Sequence, residues 1–130
     1  MKKLMIFAFL IAILALNCTT EEEPFVCHLY GWVIEEDDST TGVDSVKLKI
    51  WDINPYNVSQ MRARETTTRP ENFFPGFFEM DSVCYGTTKQ QGRIVFIVID
   101  STENPGWPSQ GWQPDIYGDV DTIILYIYDQ

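Results

Sequence analysis

Apolar and polar residues alternate with a period of two over much of the chain. Val46, Leu48 and Ile50 point one way, and Lys47, Lys49 and Trp51 the other, which predicts a half-buried strand over 43–53. Residues 25–34 are apolar and aromatic, with Phe25, Cys27, Leu29 and Val33 on one face. Residues 60–68 are polar and rich in Thr and Arg, as suits an edge or a solvent-facing strand. Residues 77–85 alternate again, with Phe78, Met80 and Cys84 inward. Residues 93–99 are apolar on both faces and read as a central strand. Over 121–129, Ile123, Leu125 and Ile127 alternate against Ile124, Tyr126 and Tyr128. Turn-forming residues fill 35–42, 54–57 and 70–76, and a long Gly-, Pro- and Trp-rich loop fills 100–120. Six or seven strands with short turns in about a hundred residues predict an all-β fold, an antiparallel β-sandwich over 25–130.

The first residues follow another pattern. Lys2 and Lys3 precede an uncharged apolar run of 13 residues, Leu4 to Leu16, and then Asn17 and Cys18. A basic start, a short apolar centre and a polar exit mark a helical signal peptide over 1–17. A helix needs about 20 residues to span a bilayer, so this run suits a cleaved segment better than a permanent anchor. The stretch Leu14-Ala15-Leu16-Asn17-Cys18 resembles a lipobox, which implies that the Cys18 thiol receives diacylglycerol. The alternative is an ordinary signal peptide with a cysteine near its end. Stable attachment takes two or more acyl chains, each CH₂ contributing about 0.8 kcal/mol, and a lipoprotein cysteine carries enough of them. Residues 18–24 then form an acidic tether. Glu21-Glu22-Glu23 is similar to a surface-display signal of Bacteroidota-like lipoproteins, and a plain polar spacer is the other reading. The expected address is the cell envelope, on the outer membrane, with either leaflet open. The expected partner is the membrane, held through the lipid on Cys18.

Removing residues 1–17 from the 130 leaves 113, enough for one sandwich core. Nine cations less Lys2 and Lys3 leave seven against 19 carboxylates, a net charge of −12. Such a charge repels nucleic acid and anionic lipid, so no nucleic-acid partner is expected. Of the three cysteines, acylation of Cys18 leaves Cys27 and Cys84 as a pair. Export to an oxidising compartment predicts a disulfide between them, with two buried free thiols as the alternative. Closing that loop would stabilise the fold by roughly 4 kcal/mol.

Leu29-Tyr30-Gly31-Trp32-Val33 is similar to the apolar-x-Gly-x-Val opening strand of carboxypeptidase regulatory-like and transthyretin-like sandwich domains. Thr41-Gly42-Val43, leading to Trp51, resembles the turn and alternating strand that follow. Thr66-Thr67-Thr68 and Gly76-Phe77-Phe78-Glu79-Met80 resemble the family's Thr-x-x-x-Gly-x-Phe region, where the aromatic residue plugs the core. The resemblance implies an Ig-like (transthyretin-like) sandwich and an accessory, binding or structural role.

Candidate chemistry is sparse. His28 is the one histidine, too few for a catalytic triad or a histidine-rich metal site. Enzymes on related sandwiches draw on several His, Arg or Tyr residues that cannot be assembled here, so no catalytic residue, metal or cofactor is expected. Glu35-Glu36-Asp37-Asp38 matches no calcium-loop spacing and reads as a solvated hairpin tip. Residues 104–114 hold the candidate ligand-binding groups, Trp107, Gln110, Trp112 and Gln113. Indole faces with amides beside them can stack on sugar rings and bond their hydroxyls. The alternative is that both indoles fold back and cover one end of the sandwich. The expected role is a non-catalytic binding or structural module of the envelope, with an envelope protein or a glycan as partner. A second expectation is capture of a carbohydrate or peptide by the Trp-rich loop.

Overall fold

The computed structural model describes residues 21–129, so the predicted signal peptide and Cys18 lie outside the described residues. The chain runs β1 (Pro24–Glu35), β2 (Lys47–Ile53), β3 (Met61–Thr67), β4 (Arg69–Glu71), β5 (Phe74–Thr87), β6 (Phe96–Ile99), β7 (Gln110–Trp112) and β8 (Val120–Ile127). Two four-stranded sheets result, in the orders β4-β5-β1-β8 and β3-β2-β6-β7. The fold is the all-β sandwich that the alternation predicts.

There are eight strands rather than six or seven. The added pair, β4 and β7, have three residues each and lie in segments that read as loops. Three residues carry no period, so only pairing with β5 and β6 makes them strands. One ladder departs from the antiparallel expectation: β1 and β8 run parallel over His28–Glu35 and Val120–Ile127. No hairpin joins the first strand to the last, so nothing local forces them antiparallel.

The core lies between the sheets. From one side come Leu29, Val33, Phe78, Met80, Val83, Ile123, Leu125 and Ile127, and from the other Leu48, Ile50, Ile97 and Ile99, all buried. Gly31 pairs with Phe78, and a Cβ at Gly31 would stand 2.1 Å from the Phe78 ring. The Gly-x-Val strand thus leaves the space that the aromatic plug fills. Gly76 has φ +95° at the start of β5, where a side chain would strike the Val33 carbonyl and the Val43 amide. That close approach brings the 42–44 turn onto β5, and Asp44 Oδ1 accepts the Gly76 N–H at 2.6 Å.

Candidate functional site

The four residues singled out in the Trp-rich loop have internal partners or positions. Trp107 and Trp112 are half-buried and pack against the core. Trp112 Nε1 donates to the Tyr126 carbonyl at 3.1 Å. Gln110 is buried and pairs with Tyr128 as a strand would: its Oε1 accepts the Tyr128 N–H at 3.0 Å, and its Nε2 donates to the Tyr128 carbonyl at 3.1 Å. Gln113 Nε2 donates to the Arg93 carbonyl. These residues close the seam between β7, an edge of one sheet, and β8, an edge of the other. Asn104 performs the same service for β2, taking the Lys47 N–H on Oδ1 at 2.7 Å and donating to the Lys47 carbonyl at 3.1 Å. Trp107 also lines two shallow hollows of about 250 and 120 Å³, both shared with Asp129.

The expected Cys27–Cys84 disulfide is not formed, and both thiols are free and buried. The register explains it. Cys27 pairs with Val83, and Cys84 with Val26, so the two cysteines sit one step apart rather than opposite. Neighbouring positions along a pleated strand leave on opposite faces, and a one-step offset does not bring two Cβ atoms together. Each thiol instead donates to a nearby carbonyl, Cys27 to His28 at 3.4 Å and Cys84 to Gly86 at 3.2 Å. Burial pushes both thiols above their ordinary pKa, which disfavours the reactive thiolate.

A buried polar cluster joins the sheets at the end of β2. Asp52 is fully buried, takes Arg62 on both oxygens at 3.0 Å each, and accepts the Cys84 N–H at 2.8 Å from the opposite sheet. Arg62 and Arg64 both reach the Ser82 carbonyl, at 2.6 and 3.3 Å. Arg64 Nε is buried and finds no partner among the described residues. The Asp52 carboxylate raises the pKa of Arg62, which keeps the guanidinium charged. The signal for it was in the alternation, which puts Asp52 on the inward face after Leu48 and Ile50. A carboxylate there needs a cation, and β3, directly opposite, supplies one.

The outer face of the β4-β5-β1-β8 sheet carries a row of rings. His28 and Tyr30 lie 4.6 Å apart, Tyr30 and Phe77 6.0 Å, and Trp32 and Phe77 5.2 Å, between ring centroids. Arg69 lies 5.1 Å above the Phe77 ring. Glu79 bonds Arg69 Nη2 at 2.9 Å and His28 Nε2 at 3.0 Å. Arg69 first and His28 second hold the Glu79 carboxyl below the usual carboxylate range. A shallow groove of about 320 Å³ runs beside Trp32, Ile34 and Phe74, and one of about 250 Å³ lies by Phe25, Tyr85 and Tyr117. No group of three or more His, Cys, Asp or Glu converges as metal ligands would among the described residues. Comparison with protein families, curated proteins and solved structures finds no match.

Proposed function

We propose that the protein is a lipid-anchored, exported β-sandwich that works as a non-catalytic binding or structural module of the cell envelope. One observation carries the reading: a basic, then apolar segment ends at Cys18, and β1 begins only six positions later, at Pro24. A folded domain that starts so close behind a lipid-bearing cysteine would be held near the membrane by its tether. A binding or structural role rather than catalysis is supported by how the ionisable groups are used. Asp52 holds Arg62, Glu79 holds Arg69 and His28, and Asp115 holds Arg93. These pairs brace strands and loops. The ring row from His28 to Trp32 offers half-exposed contact surface on one sheet.

The test is mass spectrometry and fractionation of the full chain made in a bacterium. The expected product begins at Cys18, carries acyl chains and sediments with membranes. Cys18→Ala should lose the acyl mass and leave the membrane-bound lipoprotein pool. A wild-type product that keeps Met1, carries no acyl group and stays in the cytosol overturns the proposal.

A further inference from the structure

The acidic segment ahead of β1 is fastened to the domain. Glu22 accepts hydrogen bonds from the Thr87 hydroxyl and from the Gln90 amide, the latter at 3.1 Å. Glu23 and Thr88 bond reciprocally: the Glu23 N–H donates to Thr88 Oγ1 at 3.1 Å, and the Thr88 N–H to the Glu23 carbonyl at 3.0 Å. The chain is thus pinned to the 87–90 turn only four positions after Cys18. Four residues reach at most about 14 Å. A lipid on Cys18 therefore holds Glu22 within that distance of its point of attachment. From there the twelve residues of β1 span about 36 Å to Glu35. The tether restrains one end of the sandwich and leaves the other free.

Three loops meet at the tethered end. The 86–92 turn holds the pin itself. Asp52 takes the Cys84 N–H, and Cys84 pairs with Val26, which brings the 54–60 turn after β2 to this end. Phe25 lines a groove of about 250 Å³ with Ile116 and Tyr117, so the 113–119 loop lies here too. The 36–46 and 100–109 loops lie at the opposite end, where β1 and β6 finish and Asn104 holds Lys47 at the start of β2.

The two ends differ in charge. The far loops carry Glu36, Asp37, Asp38, Asp44, Asp100 and Glu103, and no cation. At the tethered end, 54–60 is uncharged and 86–92 carries only Lys89. Asp115 is bonded to Arg93 at 2.9 Å, and Asp119 is offset by Lys89, so these loops balance. The tether adds Glu21, Glu22 and Glu23, of which Glu22 is turned onto the domain. Lipid phosphates repel carboxylates, so a bilayer accepts the tethered end more readily than the far one. That end also exposes rings: Tyr56 is 90% exposed, Tyr117 70%, and Phe25 36%. Tyrosine suits the headgroup layer, where the ring meets apolar matter and the hydroxyl stays wet. Phe73 and Phe74 are exposed as well, but they sit at the acidic end, a strand's length from the pin.

We propose that the sandwich stands on the membrane by its tethered end, with Phe25, Tyr56 and Tyr117 in the headgroup layer and the acidic end turned outward, an inference that rests on the lipid-anchored reading above. The test uses the full chain, made in a bacterium and placed in phosphatidylcholine vesicles containing a lipid with a nitroxide headgroup. Single variants Lys89→Cys, Tyr117→Cys, Asp37→Cys and Glu103→Cys carry a thiol-reactive fluorophore. Cys27 and Cys84 are buried, and acylation blocks Cys18, so the label goes to the new thiol. The labels at 89 and 117 should lose most of their fluorescence to the nitroxide, and those at 37 and 103 little. A second arm inserts a Gly-Ser linker of about ten residues between Thr20 and Glu21, which frees the domain from the short tether. The label at 89 should stay quenched, and should lose its quenching when Tyr56 and Tyr117 are both changed to Ser. All of these positions are exposed, so the fold is not at stake. Equal quenching at both ends of an acylated protein, or loss of quenching with the linker while the rings are intact, overturns this proposal and leaves the lipid anchor standing. A product whose mass shows no acyl chain overturns both.

Discussion

Asn72 and Phe73 both take positive φ, 49° and 69°, at the two-residue turn between β4 and β5. Two such residues in succession are what a type I′ hairpin requires, and Asn suits the first place. Phe at the second does not, because a Cβ is crowded there by about 1–2 kcal/mol. Phe73 is fully exposed, so its ring returns no burial energy. Phe73→Gly should therefore raise the unfolding free energy by about 1 kcal/mol in urea denaturation. A loss of stability would mean that the ring makes contacts that offset the strain. The turn was legible only as part of a 70–76 loop, since its φ values follow from the pairing of Glu71 with Phe74. The Cys27–Cys84 pairing failed for a related reason. Counting cysteines says nothing about register, and one step of offset separates them.

Strands β1, β4 and β5 converge on Glu79, whose carboxylate ties Arg69 of β4 to His28 of β1. Its pKa lies below the ordinary value of about 4.3 because Arg69, then His28, stabilises the charged form. A lowered folded pKa contributes stability above the ordinary value, and that contribution is lost as pH falls through the folded pKa. The melting temperature of the wild type should therefore fall as pH drops below about 4. Glu79→Gln should start lower at neutral pH and lose less over that window. An unchanged acid slope in Glu79→Gln would show that the bridge contributes nothing to folding. Strands of seven or more residues with clean alternation, such as β2 and β8, were readable because two or more periods fit within them. The three-residue β4 and β7 were not, because pairing partners alone define them.

Two side-chain devices hold the whole sandwich shut. Asp52 crosses from β2 to the Cys84 amide of the opposite sheet, and Gln110 and Trp112 fasten β7 to the end of β8. Removing one partner of a buried ion pair strands the other, which costs about 3–5 kcal/mol. Asp52→Ala should lower stability by about that much, whereas Asp81→Ala, which removes an exposed partner of Arg64, should cost under about 1 kcal/mol. Equal losses in chemical denaturation would count against the cluster as a bridge.

Alternation along the chain was enough for the fold class, because burying one face of each strand demands it whatever the topology. It also marked the inward residues Leu48 and Ile50 of β2 and Ile123, Leu125 and Ile127 of β8, whereas irregular pairing in β1 leaves Phe25 exposed and puts Val83 rather than Cys84 beside Cys27. Composition set the charge and the scarcity of catalytic groups. Register, strand direction and the fate of polar loop side chains lay beyond it. Each depends on which backbone groups remain unpaired once the sheets close, and residues far apart in the chain meet only then. That is why Gln110 and Trp112, legible as ligand donors, hold the ends of a strand instead.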